Sequence, residues 1–115
     1  MPYKRGDVVL VLFPDSNMRT AKRRPAVVVQ ADNIQTGLTQ VIVAMISSNM
    51  ARAGHPSRVP VQQASTEGPA MGLHSDSVIM ADNLATVLES EIDRSIGCCP
   101  VMPAVDAALR TTLGL

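Results

Sequence analysis

The chain is almost without aromatic side chains. Of 115 residues, Tyr3 and Phe13 are the only two, and tryptophan is absent. Platforms that stack the bases of single-stranded nucleic acid usually need several aromatics, so any such contact here must rest on charge and hydrogen bonds. Cysteine is confined to the adjacent pair Cys98-Cys99. Neighbouring cysteines rarely pair and have no metal-type spacing, so two reduced thiols are expected and no metal site. Histidine occurs twice, as His55 and His74. No nucleophile elbow, phosphate-cradling glycine loop or zinc spacing accompanies them, and no cofactor is implied. Long hydrophobic runs are missing too. The first, Val8 to Phe13, ends at Pro14-Asp15, so neither a secretory leader nor a membrane span is expected, and a cytoplasmic location follows. Net charge is +0, which argues against a non-specific polyanion binder.

What is present is aliphatic. Hydrophobic residues make up 46 %, enough for one packed domain over residues 1–115 with a core of Val, Leu, Ile, Ala and Met. Val8 to Phe13 and Ala26 to Gln30 are apolar stretches that suit strands buried on both faces. Between them, Pro14 to Arg24 reads as a basic, turn-rich loop of eleven residues. Gln40 to Ile46 is a third strand. Arg58-Val59-Pro60-Val61 is a short edge strand, because Pro60 cannot donate to a central ladder. Ser77–Met80 and Leu84–Leu88 are strand pieces separated by Ala81-Asp82-Asn83, and Ile96–Cys99 is a last short strand. Asp32–Gly37, Ser47–Ser57 and Ala64–Gly72 read as loops, the first with the option of a short helical turn. The period then changes: Val105, Ala108, Leu109, Thr112 and Leu113 recur at helical spacing, with Pro103 in the first turn and Gly114 at the stop. The expected fold is mainly β with a C-terminal helix, a strongly bent sheet or half-open barrel.

Charge is unevenly placed. Lys4, Arg5, Arg19, Lys22, Arg23 and Arg24 are six of the ten basic residues, and only Asp7 and Asp15 oppose them in that stretch. Arg19, Lys22 and Arg23 either touch phosphates or keep the loop solvated. His55, in a polar loop, is either solvated or a catalytic or RNA-contacting residue, and His74 is the lesser candidate. Arginine, serine, aspartate and asparagine at strand ends form a set that can cleave RNA without a metal, a chemistry that composition alone does not select. The ribose 2′-hydroxyl is the nucleophile, and a guanidinium fork stabilises charge on the phosphorane. Arginine's high pKa makes it an electrostatic clamp rather than a proton donor.

Several ordered motifs resemble the MazF/PemK family of toxin endoribonucleases. They are Arg5-Gly6-Asp7-Val8, Arg24-Pro25-Ala26-Val27-Val28-Val29, Ile42-Val43-Ala44-Met45-Ile46-Ser47, Asp76-Ser77-Val78-Ile79, Asp82-Asn83-Leu84-Ala85-Thr86-Val87, Ile96-Gly97 and Val105-Asp106-Ala107-Ala108-Leu109-Arg110. The resemblance implies an SH3-like half-barrel, usually a homodimer, held silent by a cognate antitoxin. It implies metal-independent cleavage of single-stranded mRNA at short sequences, leaving a 2′,3′-cyclic phosphate and a 5′-hydroxyl. Arg24 would neutralise the scissile phosphate and Ser47 would hydrogen-bond a non-bridging oxygen. Asp82 matches an acidic position near the RNA or the catalytic centre, and Asn83 stands beside it. Ser47 is equally suited to capping a turn, and Asp82-Asn83 to a connection between strands. Ala85 departs from the family, where arginine is common. Two other readings share the fold: a gyrase-inhibiting toxin like CcdB, disfavoured because the chain ends Leu113-Gly114-Leu115 without the Trp-Gly-Ile tail, and a catalytically silent RNA-binding module.

Overall fold

A computed structural model describes residues 3–14, 19–34 and 36–115, the side chains of residues 13, 14 and 21 aside. The turn expected at Asp15-Ser16-Asn17, with Met18, lies outside the described residues. Six strands form one antiparallel sheet: β1 (Asp7–Pro14), β2 (Ala21–Val28), β3 (Gln40–Ser47), β4 (Arg58–Val61), β5 (Ser77–Leu88) and β6 (Ile92–Cys98), in the order β4-β5-β3-β2-β1-β6. A single helical turn, α1 (Glu67–Ala70), follows β4, and α2 (Met102–Leu113) ends the chain. Pro60 stands on edge strand β4, as expected of a residue without an N–H. Gly114 closes α2 in the left-handed conformation, φ 72°.

The sheet curls because both of its faces are apolar and both find cover. Val8 of β1 and Val59 and Val61 of β4 share one core with Val105 and Ala108 of α2, although three strands separate β1 from β4. Val9 and Val11 point to the other face, into a second core with Val28, Val43 and Val87. Period-2 alternation along a wholly apolar β1 thus feeds two cores. Ala85 pairs opposite Val43 and packs against this second core, where the common family arginine would need another environment.

Strand β5 bends at an insertion. Met45 pairs with Met80, but the adjacent Ala44 pairs with Leu84, so Ala81, Asp82 and Asn83 bulge out of the ladder. The sequence placed its break at these three residues. The bulge keeps a buried methyl, Ala81, and exposes the two polar side chains after it.

Three expectations need correction. β2 begins at Ala21, not Ala26, so Lys22, Arg23 and Arg24 lie in a strand and not in a loop. The cause is non-local: β1 runs on to Pro14 and pairs with β2 as far as Pro14↔Ala21, a two-stranded ribbon extending beyond β3. Pro25 stands just past the last β2–β3 pair, where its missing N–H is not needed. The segment read as a loop from Ala64 to Gly72 contains α1, and β6 begins four residues early, at Ile92, because β1 templates it.

Arg5, read as part of the basic edge, has structural work. Its backbone N–H donates to Asp32 at 2.7 Å, its Nε donates to the Val29 carbonyl at 3.0 Å, and its guanidinium pairs with Asp106 on α2. Gly6, at φ 95°, turns the chain so that its N–H meets the Val28 carbonyl at 2.8 Å. This turn therefore ties the N-terminus to β2 and the final helix.

Candidate functional site

A cleft of about 750 Å³ opens at one end of the sheet, within the size range of ligand sites. Its floor is a cross-strand row. Leu10 of β1 pairs with Pro25 of β2 on one side and with Arg94 of β6 on the other. Met45 and Met80, paired across β3 and β5 and packed with the second core, line the cleft as well. So do Arg23, Arg24 and Arg94, with Ser47, His74 and Asn83. Three of the described lining residues are arginines and none is acidic. A chain of zero net charge has thus gathered one sign on one concave wall, the arrangement that concentrates an anion.

Arg24 projects from the exposed β1–β2 ribbon opposite Val11. Rigid pairing behind it fixes where the charge sits. Ser47 ends β3, and its Oγ accepts the Asn49 N–H at 3.0 Å. The turn-capping role weighed from sequence is therefore realised, and it leaves the hydroxyl hydrogen to be donated into the cleft. Arg23 Nε is 3.4 Å from Asp93, which also accepts from Arg94 Nη1 at 2.7 Å. One exposed carboxylate thus steadies two guanidiniums; pairs of this kind are weak and leave both able to meet a phosphate.

Arg24, Ser47, Arg23 and Asn83 come together at the cleft. Arg19 and Lys22 are exposed near the ribbon tip and do not line it. His55 and Asp82 lie elsewhere. Arg58 Nε donates to Asp82 Oδ1 at 2.9 Å, while buried Ser57 has its Oγ 2.7 Å from His55 Nδ1 and gives its N–H to the same nitrogen at 3.1 Å. The Ala81 N–H adds a bond to the Ser57 carbonyl at 3.0 Å. The two faces of the bulge thus divide the work: Asp82 anchors it and Asn83 faces the cleft. Arg94 was not singled out for this site, and His74 only as the lesser of the two histidine candidates. Nothing local marks them; only the pairing of β6 with β1 and the packing of the 70–75 segment bring them there.

Desolvation on its own would raise the Asp82 carboxyl. The Arg58 hydrogen bond and charge, with the Ser57 hydroxyl, outweigh it and hold the group below its ordinary value of 3.8. Folding therefore favours the carboxylate. Its stabilisation is full above that ordinary value and is lost as pH falls through the lower folded one. Asp82→Asn should cost about 0.5–1 kcal/mol at neutral pH, a modest figure because the pair is partly exposed. The gap in melting temperature between wild type and variant should close as pH falls through that lower folded value. A gap that persists there would show that charge is not what holds the bulge.

The 70–75 wall is seated by two glycines. A Cβ on Gly97 would lie 2.4 Å from the Ala70 carbonyl oxygen, and one on Gly72 would lie 2.3 Å from that of Ile96. Backbone thus packs on backbone where α1 meets β6. Met71 and Leu73 are buried on this contact, which leaves His74 exposed at the cleft. Among the described residues, no group of three His, Cys, Asp or Glu could hold a metal ion, and no helix is long and apolar enough to cross a membrane. Cys98 is an exposed free thiol and Cys99 a buried one, which burial pushes up in pKa.

A six-stranded, curled antiparallel sheet with a terminal helix and a cleft lined by arginines defines a small β protein with a cationic groove. The chain belongs to the PemK-like, MazF-like toxin family of type II toxin–antitoxin systems, whose model matches residues 4–113. It is 35 % identical over 107 residues to endoribonuclease MazF6 of Mycobacterium tuberculosis, covering 90 % of each chain. In structure it is similar to M. tuberculosis toxin MazF-mt6, with a TM-score of 0.74 and 24 % identity over 95 % of this chain and 97 % of that one. A mycobacterial endoribonuclease in complex with its cognate antitoxin has the same fold, with a TM-score of 0.73 and 21 % identity over 98 % and 96 % of the two chains.

Proposed function

We propose that residues 1–115 form a single toxin domain that cleaves single-stranded RNA at short sequences without a metal. The observation that carries this reading is a cleft lined by three arginines and, among the described residues, by no acidic one, together with apolar side chains. The substrate supplies its own nucleophile, so the protein's task is to hold and neutralise the phosphate. Arg24 clamps the non-bridging oxygens of the scissile group, and the Ser47 hydroxyl donates to one of them. Attack by the 2′-oxygen leaves a 2′,3′-cyclic phosphate, and the departing fragment begins with a 5′-hydroxyl. Arg23 and Arg94 hold flanking phosphates. Asn83, with donors and an acceptor on one amide, is suited to read a base edge. The working form is a cytoplasmic homodimer silenced by a cognate antitoxin, whose acidic, partly apolar segment would cover this cleft and order on binding.

Binding of a 2′-O-methylated single strand, which lacks the nucleophile and cannot be cut, tests the electrostatic part. Three phosphate contacts give a log–log salt slope of about −2, at roughly −0.7 per contact. Arg94→Ala should make it shallower by about one such step. A flat salt response would contradict the assignment of the cleft to RNA.

A further inference from the structure

We propose that His74 takes the proton from the ribose 2′-hydroxyl. The inference rests on the reading of the cleft as an RNA-cleaving site and names the group that reading lacks. Cleavage requires a proton acceptor as well as a clamp. The arginines have no acceptor and stay charged, and the hydroxyls of Ser47 and its neighbours and the amide of Asn83 are far too weak as bases. No carboxylate lines the cleft among the described residues. Among the described lining groups, the His74 imidazole is the one that carries a nitrogen acceptor of the kind used for general-base work.

The placement of His74 supports this chemistry. Leu73 before it is buried, and Gly72 is pressed on the Ile96 carbonyl. The Leu73 N–H donates to the Gly68 carbonyl at 3.0 Å. Beyond it, buried Ser77 donates from its Oγ to the Ser75 carbonyl at 3.0 Å. The exposed ring is thus carried by a short segment anchored at both ends. Charged groups around the cleft are Arg23 and Arg24 of β2 and Arg94 of β6, with Asp93 beside them. Asp76, two residues on, accepts the Gln63 N–H at 2.9 Å. Asp82, the acidic group expected from sequence, is held by Arg58 away from the cleft.

In the step, the 2′-O–H bond breaks and its proton passes to an imidazole nitrogen of His74. The O2′–P bond forms and the P–O5′ bond breaks. The departing O5′ takes a proton from water, and the resulting hydroxide is neutralised by the imidazolium, which restores the enzyme.

The test is single-turnover cleavage of a long single-stranded RNA by wild type, His74→Gln and Arg24→Ala. His74→Gln should fold normally by circular dichroism, bind 2′-O-methylated RNA as wild type does, and cleave about 10²–10⁴-fold more slowly. The acidic limb of the wild-type pH–rate profile should vanish in it. Added imidazole should restore part of the rate to His74→Gly, which a merely structural role would not allow. Replacing the bridging 5′-oxygen by sulfur, a good leaving group, should not rescue His74→Gln; rescue would assign His74 to protonating the leaving oxygen and overturn the proposal. Wild-type rate and pH profile in His74→Gln, with Arg24→Ala inactive, would overturn it while leaving the endoribonuclease reading intact. No cleavage by wild type would overturn both.

Discussion

Arg24→Ala should reduce RNA cleavage by roughly 10²–10³-fold, the typical cost of losing one preorganised donor at developing charge. The fold should survive. Arg24 is exposed on a ribbon whose β1–β2 ladder needs only its backbone, and the two cores lie beneath other residues. Lysine should not substitute fully, because an ammonium offers a point charge where a guanidinium offers a planar fork. Measuring cleavage and melting temperature on the same preparations separates the two effects. An Arg24→Ala protein that melts normally and cuts normally would remove Arg24 from the mechanism. One that fails to fold would make it a structural residue.

The second large effect is structural and lies at Gly72. Its φ of 73° costs a side chain about 1–2 kcal/mol. A Cβ would also sit 2.3 Å from the Ile96 carbonyl oxygen, which is backbone and has no rotamer through which to escape. Relieving that overlap by moving α1 off β6 adds about 1–3 kcal/mol. Gly72→Ala should therefore lose about 2–5 kcal/mol, a large part of the 5–15 kcal/mol that usually holds a domain together. Gly37→Ala is the control: its φ is 77°, but nothing lies within 4 Å of the added methyl. It should pay only the conformational cost. Denaturant titrations of the two variants measure the difference, and equal losses would contradict the close packing of α1 on β6. Any Gly72→Ala protein that does fold should also cleave slowly, since the displaced wall carries His74.

Local chemistry made much of this fold legible. The unbroken apolar run of β1 announced burial on both faces, Pro60 announced an edge, and Pro103 with Gly114 bounded the helix. Ala81-Asp82-Asn83 interrupted two apolar runs and proved to be the bulge. What stayed hidden depended on partners distant in sequence. Lys22 to Arg24 look like loop residues until β1 supplies a strand for them to pair with. Gly97 looks like one more small residue until α1 is laid across it.

The site divides along the same line. Arg24 precedes the apolar half of β2 and Ser47 ends β3, and the family resemblance pointed to them. His55 and Asp82 were equally visible as chemistry, yet at the bulge and the β4 edge they bond to Ser57 and Arg58 respectively and do not line the cleft. Arg94 enters only because β6 pairs with β1 at Leu10. His74 enters only because two glycines let its segment settle on β6. Which of several polar residues share a cleft is a property of strand order, and strand order is not written in any one segment.

The most direct measurement is cleavage of a long single-stranded RNA in EDTA, comparing wild type with Arg24→Ala and analysing the fragment ends. The expected result is cutting at a small set of sites by wild type alone, with 2′,3′-cyclic phosphate on one side and 5′-hydroxyl on the other. A folded wild-type protein that leaves varied RNAs intact, or cuts them only when metal is supplied, would contradict the central claim.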